Sequence, residues 1–504
     1  MARPLQLVLD PGEGPLYRQV VAALIGDIRR GRLPAGAPLP GSRSLADALG
    51  VHRNTVIAAY RELQADGWID SAIGRGSRVA ASLPASSVST TRPRAPSYAL
   101  GACDAITSVA DAGVAGVLHL GHLPDPREVP RVALARAYRR ALANEGERVL
   151  DYADRRDGTL TFGHPRLRAA LAEMLARERG VVATAADVLV TNGSQMAIHL
   201  AARALVVPGD VIAVEAWGHR PVFATLRATG AELVGVPVDG EGLDVDALAR
   251  LCARRHVRAV YVTPRHQHPT AVVLSPRRRA ALLTLAARCG LAVIEDDFDG
   301  EVVFEGPPVR PLAADDRDGA VVYIGSLSKD LAPGVRVGLA IAPAAMLQRM
   351  ARWRSAIDRQ GDHALHAAIA ELIEDGDLRR HARRMHGLYL RRRDALVAAL
   401  RERLAAVLSF EVPTRGTAIW AAVAPEVDVE LWHRRALLAG VSFATGRSLS
   451  LDDGPVAHAR FGFAGLDPTR LREAVGRLAK ALPIAKVVPA KIGEVDPPRV
   501  VSAP

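Results

Sequence analysis

From about residue 120 onward, short apolar runs alternate with longer amphipathic stretches, and this rhythm restricts the chain to few architectures. The apolar runs are Val188 to Thr191, Val211 to Glu215, Leu233 to Val236, Val260 to Thr263, Leu291 to Glu295, Val321 to Gly325 and Val337 to Ala342. Helical patterns lie between most of them, as at Ala197 to Leu205, Val245 to Arg254 and Pro276 to Cys289. A strand, helix, strand order of this kind predicts an α/β domain: a mostly parallel, doubly wound sheet covered by helices on both faces. After Gly361 the pattern becomes a long helix through Arg403, then two strands, a helix, two short strands and a final helix to Leu482, which predicts a smaller α+β part.

The 504 residues are too many for one ordinary core, so several domains are expected. Lys and Arg exceed Asp and Glu by 65 to 54, and the resulting charge of +11 favours a polyanionic partner. Cys103, Cys252 and Cys289 are scattered, fit no metal-ligand spacing and cannot all pair, which fits a reducing cytoplasm and no bound metal. The start has no apolar secretory core, and no apolar run reaches the ~18 residues that a membrane span needs.

At the other end of the chain, helix patterns at Leu16 to Gly31, Leu45 to Leu49 and Arg53 to Asp66 precede a short hairpin around Gly74, Arg75 and Gly76. Gly50 suits a left-handed turn between the second and third helices. That places His52, Arg53, Asn54 and Thr55 at a helix N-terminus, where Arg and Asn can bond base edges while Arg43 takes a phosphate. The glycines would let Arg75 approach the minor groove. The run from Pro15 to Ile69 closely resembles the winged helix-turn-helix domain of the GntR transcription-factor family, which implies double-stranded operator DNA as a partner. From Ser82 to Ser97 the chain is rich in Ser, Thr and Pro and cannot sustain a core, so a linker is expected.

The large domain offers its chemistry at strand ends. Lys329 closes the segment Gly325-Ser326-Leu327-Ser328-Lys329 after an apolar strand, an arrangement able to hold an aldehyde cofactor through its amine and a phosphate on the hydroxyls. Arg336 lies seven residues on and could neutralise that phosphate. Thr191-Asn192-Gly193-Ser194-Gln195 follows another strand and opens a helix, so its N–H groups could also bind phosphate. Asp296 ends a third strand, where a carboxylate could keep a pyridine nitrogen protonated, and Asp297 is the competing choice. Residues 120 to 482 resemble fold-type I enzymes dependent on pyridoxal 5'-phosphate (PLP), of the aspartate aminotransferase kind. A GntR head followed by that domain is the architecture of MocR/GabR-type regulators.

The resemblance implies Lys329 as the Schiff-base lysine, Asp296 as partner of the pyridine nitrogen, and Ser194, Gln195, Ser326 and Arg336 around the phosphate. Arg460 matches the arginine that receives a substrate carboxylate, and Tyr152 the tyrosine that reaches the phosphate of the other subunit. Three positions depart from the family: Phe298 stands where Tyr usually meets the phenolic oxygen, His219 where an aromatic ring stacks on the pyridine, and Ala271 where Gly is usual. His268, ahead of Pro269, is the candidate replacement for the missing hydroxyl. The expected organisation is a DNA-binding domain at 12–80, a linker at 81–117, a PLP-binding domain at 118–483 and a frayed tail at 484–504. The expected function is a homodimeric regulator that senses a B6 vitamer or an amino compound. The alternative is a working aminotransferase with an appended DNA module.

Overall fold

A computed structural model describes residues 14–72, 76–83, 116–121, 123–152, 159–299 and 302–483. The chain divides into two compact units, Met1–Cys103 and Asp104–Pro504. Gly74, Arg75, Cys103, the 484–504 tail and all but the ends of the 81–117 linker lie outside the described residues.

The first unit contains α1 (Leu16–Arg29), α2 (Ser42–Leu49), α3 (Arg53–Ala65) and the antiparallel strands β1 (Ile69–Ala72) and β2 (Gly76–Val79). Gly50 caps α2 at φ +64°, a left-handed conformation open to glycine at little cost. The chain then turns directly into α3, whose first turn is capped by the His52 ring accepting the Asn54 N–H at 3.2 Å. Val20, Leu24, Leu45, Val56 and Leu63 make the core at the 3.6-residue period of the helices.

The second unit begins with β3 (Leu118–His119), α4 (Arg131–Glu145) and α5 (Pro165–Arg179). Next come β4 (Val188–Thr191), α6 (Ser194–Leu205), β5 (Val211–Glu215), α7 (Arg220–Arg227), β6 (Glu232–Val236), β7 (Val238–Asp239) and β8 (Gly242–Leu243). They are followed by α8 (Val245–Arg254), β9 (Val257–Val262), α9 (Pro276–Cys289), β10 (Ala292–Asp297), β11 (Val321–Ser326) and β12 (Gly338–Ile341). The main sheet has the order β4-β12-β11-β10-β9-β5-β6. Apart from the edge strand β6, its strands are buried almost throughout, which is why they read as unbroken apolar runs. One strand departs from the parallel expectation: β12 runs antiparallel to both β11 and β4. Only a short 3-10 turn lies between β11 and β12, and a parallel return needs a crossover of a dozen or more residues, usually a helix.

The chain continues through α10 (Ala344–Ile357), α11 (His363–Glu374) and α12 (Asp377–Leu404). The single long helix expected after Gly361 is thus two helices, because Gly376 at φ +71° breaks the run. The remaining elements are β13 (Leu408–Ser409), β14 (Ala418–Val423), α13 (Val429–Leu438), β15 (Val441–Ser442), β16 (Ala444–Thr445), β17 (His458–Gly462) and α14 (Pro468–Lys480). Strands β13, β14, β17 and β16 form a second sheet, with Trp432, Phe461 and Leu396 in the core beneath it. Cys252 and Cys289 are free thiols. Among the described residues no helix is long and apolar enough to cross a membrane, and no group of metal-ligating side chains occurs.

Candidate functional site

Because β4, β5, β9, β10 and β11 point the same way, their carboxyl ends meet on one edge of the sheet, where open α/β folds carry ligands. A cavity of about 170 Å3 opens there. Ser194, Gln195, His219, His268, Asp296, Phe298, Ser326, Lys329 and Arg336 all line it, although they come from segments up to 142 residues apart. Ser328, Pro221, Val222 and Tyr261 complete much of the wall.

The two adjacent carboxylates on β10 are separated by the pleat of the strand. Asp297 points away from the cavity and is gripped by Arg179 at 2.7 Å, Arg265 at 2.7 Å and the Tyr323 hydroxyl at 2.8 Å. Burial would raise its pKa, but the two guanidinium groups overcome that and hold it at about 2. Asp296 faces the cavity and accepts a 2.7 Å hydrogen bond from the Tyr261 hydroxyl through Oδ2. Its Oδ1 is buried without a hydrogen-bond partner, and burial pushes the carboxyl up to about 7. A proton donor arriving in the cavity would satisfy that oxygen, so the geometry gives Asp296 and Asp297 different work.

The opposite end of the cavity is a cradle for an anion. The α6 N-terminus brings the Ser194 and Gln195 N–H groups and the positive end of the helix dipole. Gly193 adopts φ +86°, a backbone conformation strained for any residue that carries a side chain. Gly338 is equally constrained, because its Cβ would meet the Gly193 carbonyl carbon at 2.4 Å and the Ser194 nitrogen at 2.5 Å. Arg336 sits at φ +48° and donates to the Asn192 carbonyl at 2.9 Å. Ser326 Oγ accepts the Ser328 N–H at 3.2 Å. The Gln195 amide is turned toward Thr225 Oγ1 at 3.0 Å, so its side chain is held by α7 while its N–H stays at the helix start.

Lys329 lies between these two ends. Burial lowers its pKa to about 8, Asp299 works against that shift, and Arg460 adds to it. Arg460 is 6% exposed and does not line the cavity, yet its charge reaches Lys329, His219 and His268. Burial brings Arg460 itself to about 10, against the pull of Asp299. His219 and His268 stack at 5.5 Å with planes 24° apart, and His268 meets the Phe298 ring edge-on at 5.7 Å. Burial, together with Lys329 and Arg460, lowers both imidazoles, His219 to about 4, so both are neutral near pH 7. Ala271 adopts φ +62°, a left-handed conformation that costs a residue with a side chain about 1 kcal/mol.

Tyr152 is not brought to the cavity of its own chain. It is 54% exposed, with the Arg359 guanidinium 4.1 Å from its ring centroid. Tyr261 and Asp299 escaped the sequence reading. Tyr261 meets Asp296 only because β9 and β10 align Tyr261 with Ile294, a register that a single sequence does not reveal. In the first unit, His52, Arg53 and Asn54 are exposed and Thr55 is half-buried at the α2–α3 turn, and Arg43 is exposed at the α2 N-terminus, with Arg53 Nε 3.3 Å from Ser42 Oγ. Gly76 opens β2.

Comparison with known proteins agrees with these features. The model of the class I and II aminotransferases matches residues 127–478, and that of the gntR family of bacterial regulatory proteins matches residues 16–79. A Rhizobium meliloti protein named "Probable rhizopine catabolism regulatory protein MocR" is 33% identical over 482 residues, covering 94% of this chain and 95% of its own. The pyridoxine biosynthesis transcriptional regulator PdxR of Corynebacterium glutamicum is 29% identical, covering 78% and 81%. Among solved structures, the α-aminoadipate aminotransferase LysN of Thermus thermophilus, complexed with N-(5'-phosphopyridoxyl)-L-leucine, superposes with a TM-score of 0.67. It is 29% identical and covers 73% of this chain and 92% of its own. The chain therefore belongs to the MocR/GabR subfamily of GntR-type transcriptional regulators, in which a winged helix-turn-helix head that binds DNA is joined to an aminotransferase-like domain for pyridoxal 5'-phosphate.

Proposed function

We propose that the cavity holds PLP against Lys329, and that an amino compound entering it changes how two winged heads engage an operator. The observation that carries this reading is the buried, unpartnered Asp296 Oδ1 in the same cavity as the buried amine of Lys329. When bound, the cofactor supplies an aldehyde that condenses reversibly with amines and a ring that withdraws electrons from the attached carbon. Asp296 would accept the ring N–H through Oδ1, with Tyr261 holding Oδ2. The α6 N-terminus, Ser326, Ser328 and Arg336 hold the phosphate. Lys329 presents an amine that burial keeps partly neutral, the form that attacks an aldehyde. His219, as a neutral imidazole, would stack on the cofactor's ring, and His268 would offer the polar group that Phe298 lacks. Arg460 receives the carboxylate of the effector.

The chain works as a homodimer in the cytoplasm, with the exposed Tyr152 serving the cavity of a second copy. The heads read DNA through Arg53 and Asn54 on base edges, with His52 and Thr55 beside them, Arg43 on phosphate and Arg75 between Gly74 and Gly76 in the minor groove. Residues 12–80 act as the reader, 81–117 as the tether and 118–483 as the sensor. A ligand shifts the operator-binding arrangement only by its difference in affinity between the arrangements. The test is an absorbance titration of the PLP-loaded full chain with B6 vitamers and amines, run beside operator binding. Ligands that change the chromophore should change DNA affinity or footprint, and a chromophore response without any DNA response would overturn the sensing role.

A further inference from the structure

Glu215 ends β5 with its side chain 2% exposed, and nothing above gives it a role. It does not line the cavity. Thr263 Oγ1 donates to its Oε2 at 2.6 Å, and Gln267 Nε2 donates to the same oxygen at 3.3 Å. Neither donor stops there. Thr263 Oγ1 also accepts the His268 N–H at 3.0 Å. Gln267 Nε2 also donates to the Trp217 carbonyl at 2.9 Å and to the His268 carbonyl at 2.6 Å. At the other end of the same amide, Oε1 accepts the Thr270 N–H at 3.1 Å and the Thr270 hydroxyl at 2.7 Å. The amide is therefore fixed in one sense, because turning it over would set donor against donor.

One buried carboxylate thus ties together two segments that are about fifty residues apart in sequence. The first is Trp217, two residues ahead of His219, and the second is Gln267 with His268. Both imidazoles line the cavity, and they stack on each other at 5.5 Å. Hydrogen bonds to an ionised acceptor are roughly twice as strong as neutral ones, and a fully satisfied buried network rigidifies what it joins. We infer that Glu215 is a positioning residue: through Thr263 and Gln267 it fixes the backbone on both sides of the imidazole pair, and so sets how His219 and His268 meet the cofactor. Their meeting with the cofactor rests on the PLP reading proposed above.

The experiment measures the rate at which diethyl pyrocarbonate modifies each histidine of the cofactor-free full chain, read by peptide mass. In the wild type, His268 is 4% exposed and should react slowly, while the exposed His256 serves as the fast standard. In Glu215→Gln, His268 should react roughly tenfold faster, as loss of one buried hydrogen bond to a charged group implies. His256 should keep its rate, and so should His366, which is 2% exposed in α11. In the PLP-loaded full chain, the visible circular dichroism per bound cofactor should fall in the same variant, since that signal depends on the groups flanking the ring. If Glu215→Gln does not fold, Thr263→Val and Thr263→Ser take its place. Valine keeps the shape without the hydroxyl and should free His268, whereas serine keeps the hydroxyl and should restore the wild-type rate. An unchanged His268 rate, or an equal acceleration at His366, overturns the inference. Because that rate is read without cofactor, a chain that shows the effect at His268 but loads no PLP removes the sensing role and leaves the positioning of the imidazole pair intact.

Discussion

The DNA-reading head and the cofactor cavity use charge in opposite ways. At the starts of α2 and α3, Arg43, Arg53 and Asn54 stand exposed, with a 3.3 Å contact from Arg53 to Ser42. In the cavity, Asp296 and Lys329 are buried, as are the nearby Asp299 and Arg460, and their ionisation departs from its ordinary range. A polyanion gains affinity by releasing counterions from a solvated surface, so its reader needs charges that stay in water. A small ligand is recognised where water is excluded and each polar atom left unpaired is costly. One chain therefore contains a binding surface that salt should weaken and a site that depends on burial.

The sharpest test of this contrast is Lys329→Ala. Covalent capture of the cofactor, read by borohydride trapping and peptide mass, should vanish, while binding of the cofactor-free protein to DNA should keep its salt slope. The second test separates the neighbouring carboxylates. Asp297→Ala removes the buried carboxylate that Arg179 and Arg265 share and should cost about 3–5 kcal/mol of stability, measured as the midpoint of chemical unfolding. Asp296→Asn should leave that midpoint nearly unchanged and weaken cofactor retention instead. Since the Asp297 pKa is about 2 when folded and lies below its ordinary value, its stabilising contribution is present above the ordinary carboxylate range and disappears as the pH falls toward 2.

Arg53→Ala is expected to cost about 1–3 kcal/mol in operator binding if the residue reads bases, with relaxed preference at one position. If it contacts phosphate, all sequences weaken together and the salt slope falls by about one. The smallest effect concerns pH. The rate of cofactor uptake by cofactor-free protein, followed by stopped-flow absorbance, should rise with pH through an inflection near 8, because the neutral amine of Lys329 is the reacting form. Asp299→Asn should move that inflection lower, since Asp299 favours the charged amine. An inflection near the ordinary lysine value would place Lys329 in water and erase the contrast between the two sites.

Much of this was legible before the fold was known, for reasons that differ by region. The buried strands announced themselves as apolar runs, and the residues after them fell around one cavity because parallel strands share an end. The reversed direction of β12 was not legible from apolar content, which is the same for either direction; the short link after β11 was the available clue. The break at Gly376 was hidden because the flanking segments, α11 and α12, are each convincing helices. Tyr261 and Asp299 were invisible for a deeper reason. Their significance lies in which atoms they meet, Asp296 in one case and Thr417 in the other, and those partners come from distant stretches of chain.

The close approach of Gly338 to the start of α6 limits how this protein can be altered. The reversed strand and the anion-holding helix touch backbone to backbone at that point, so even one added methyl group would wedge them apart. Mutagenesis aimed at new effectors therefore has no freedom at this junction. Variants there would lose their grip on the vitamin before they acquired a new taste in ligands.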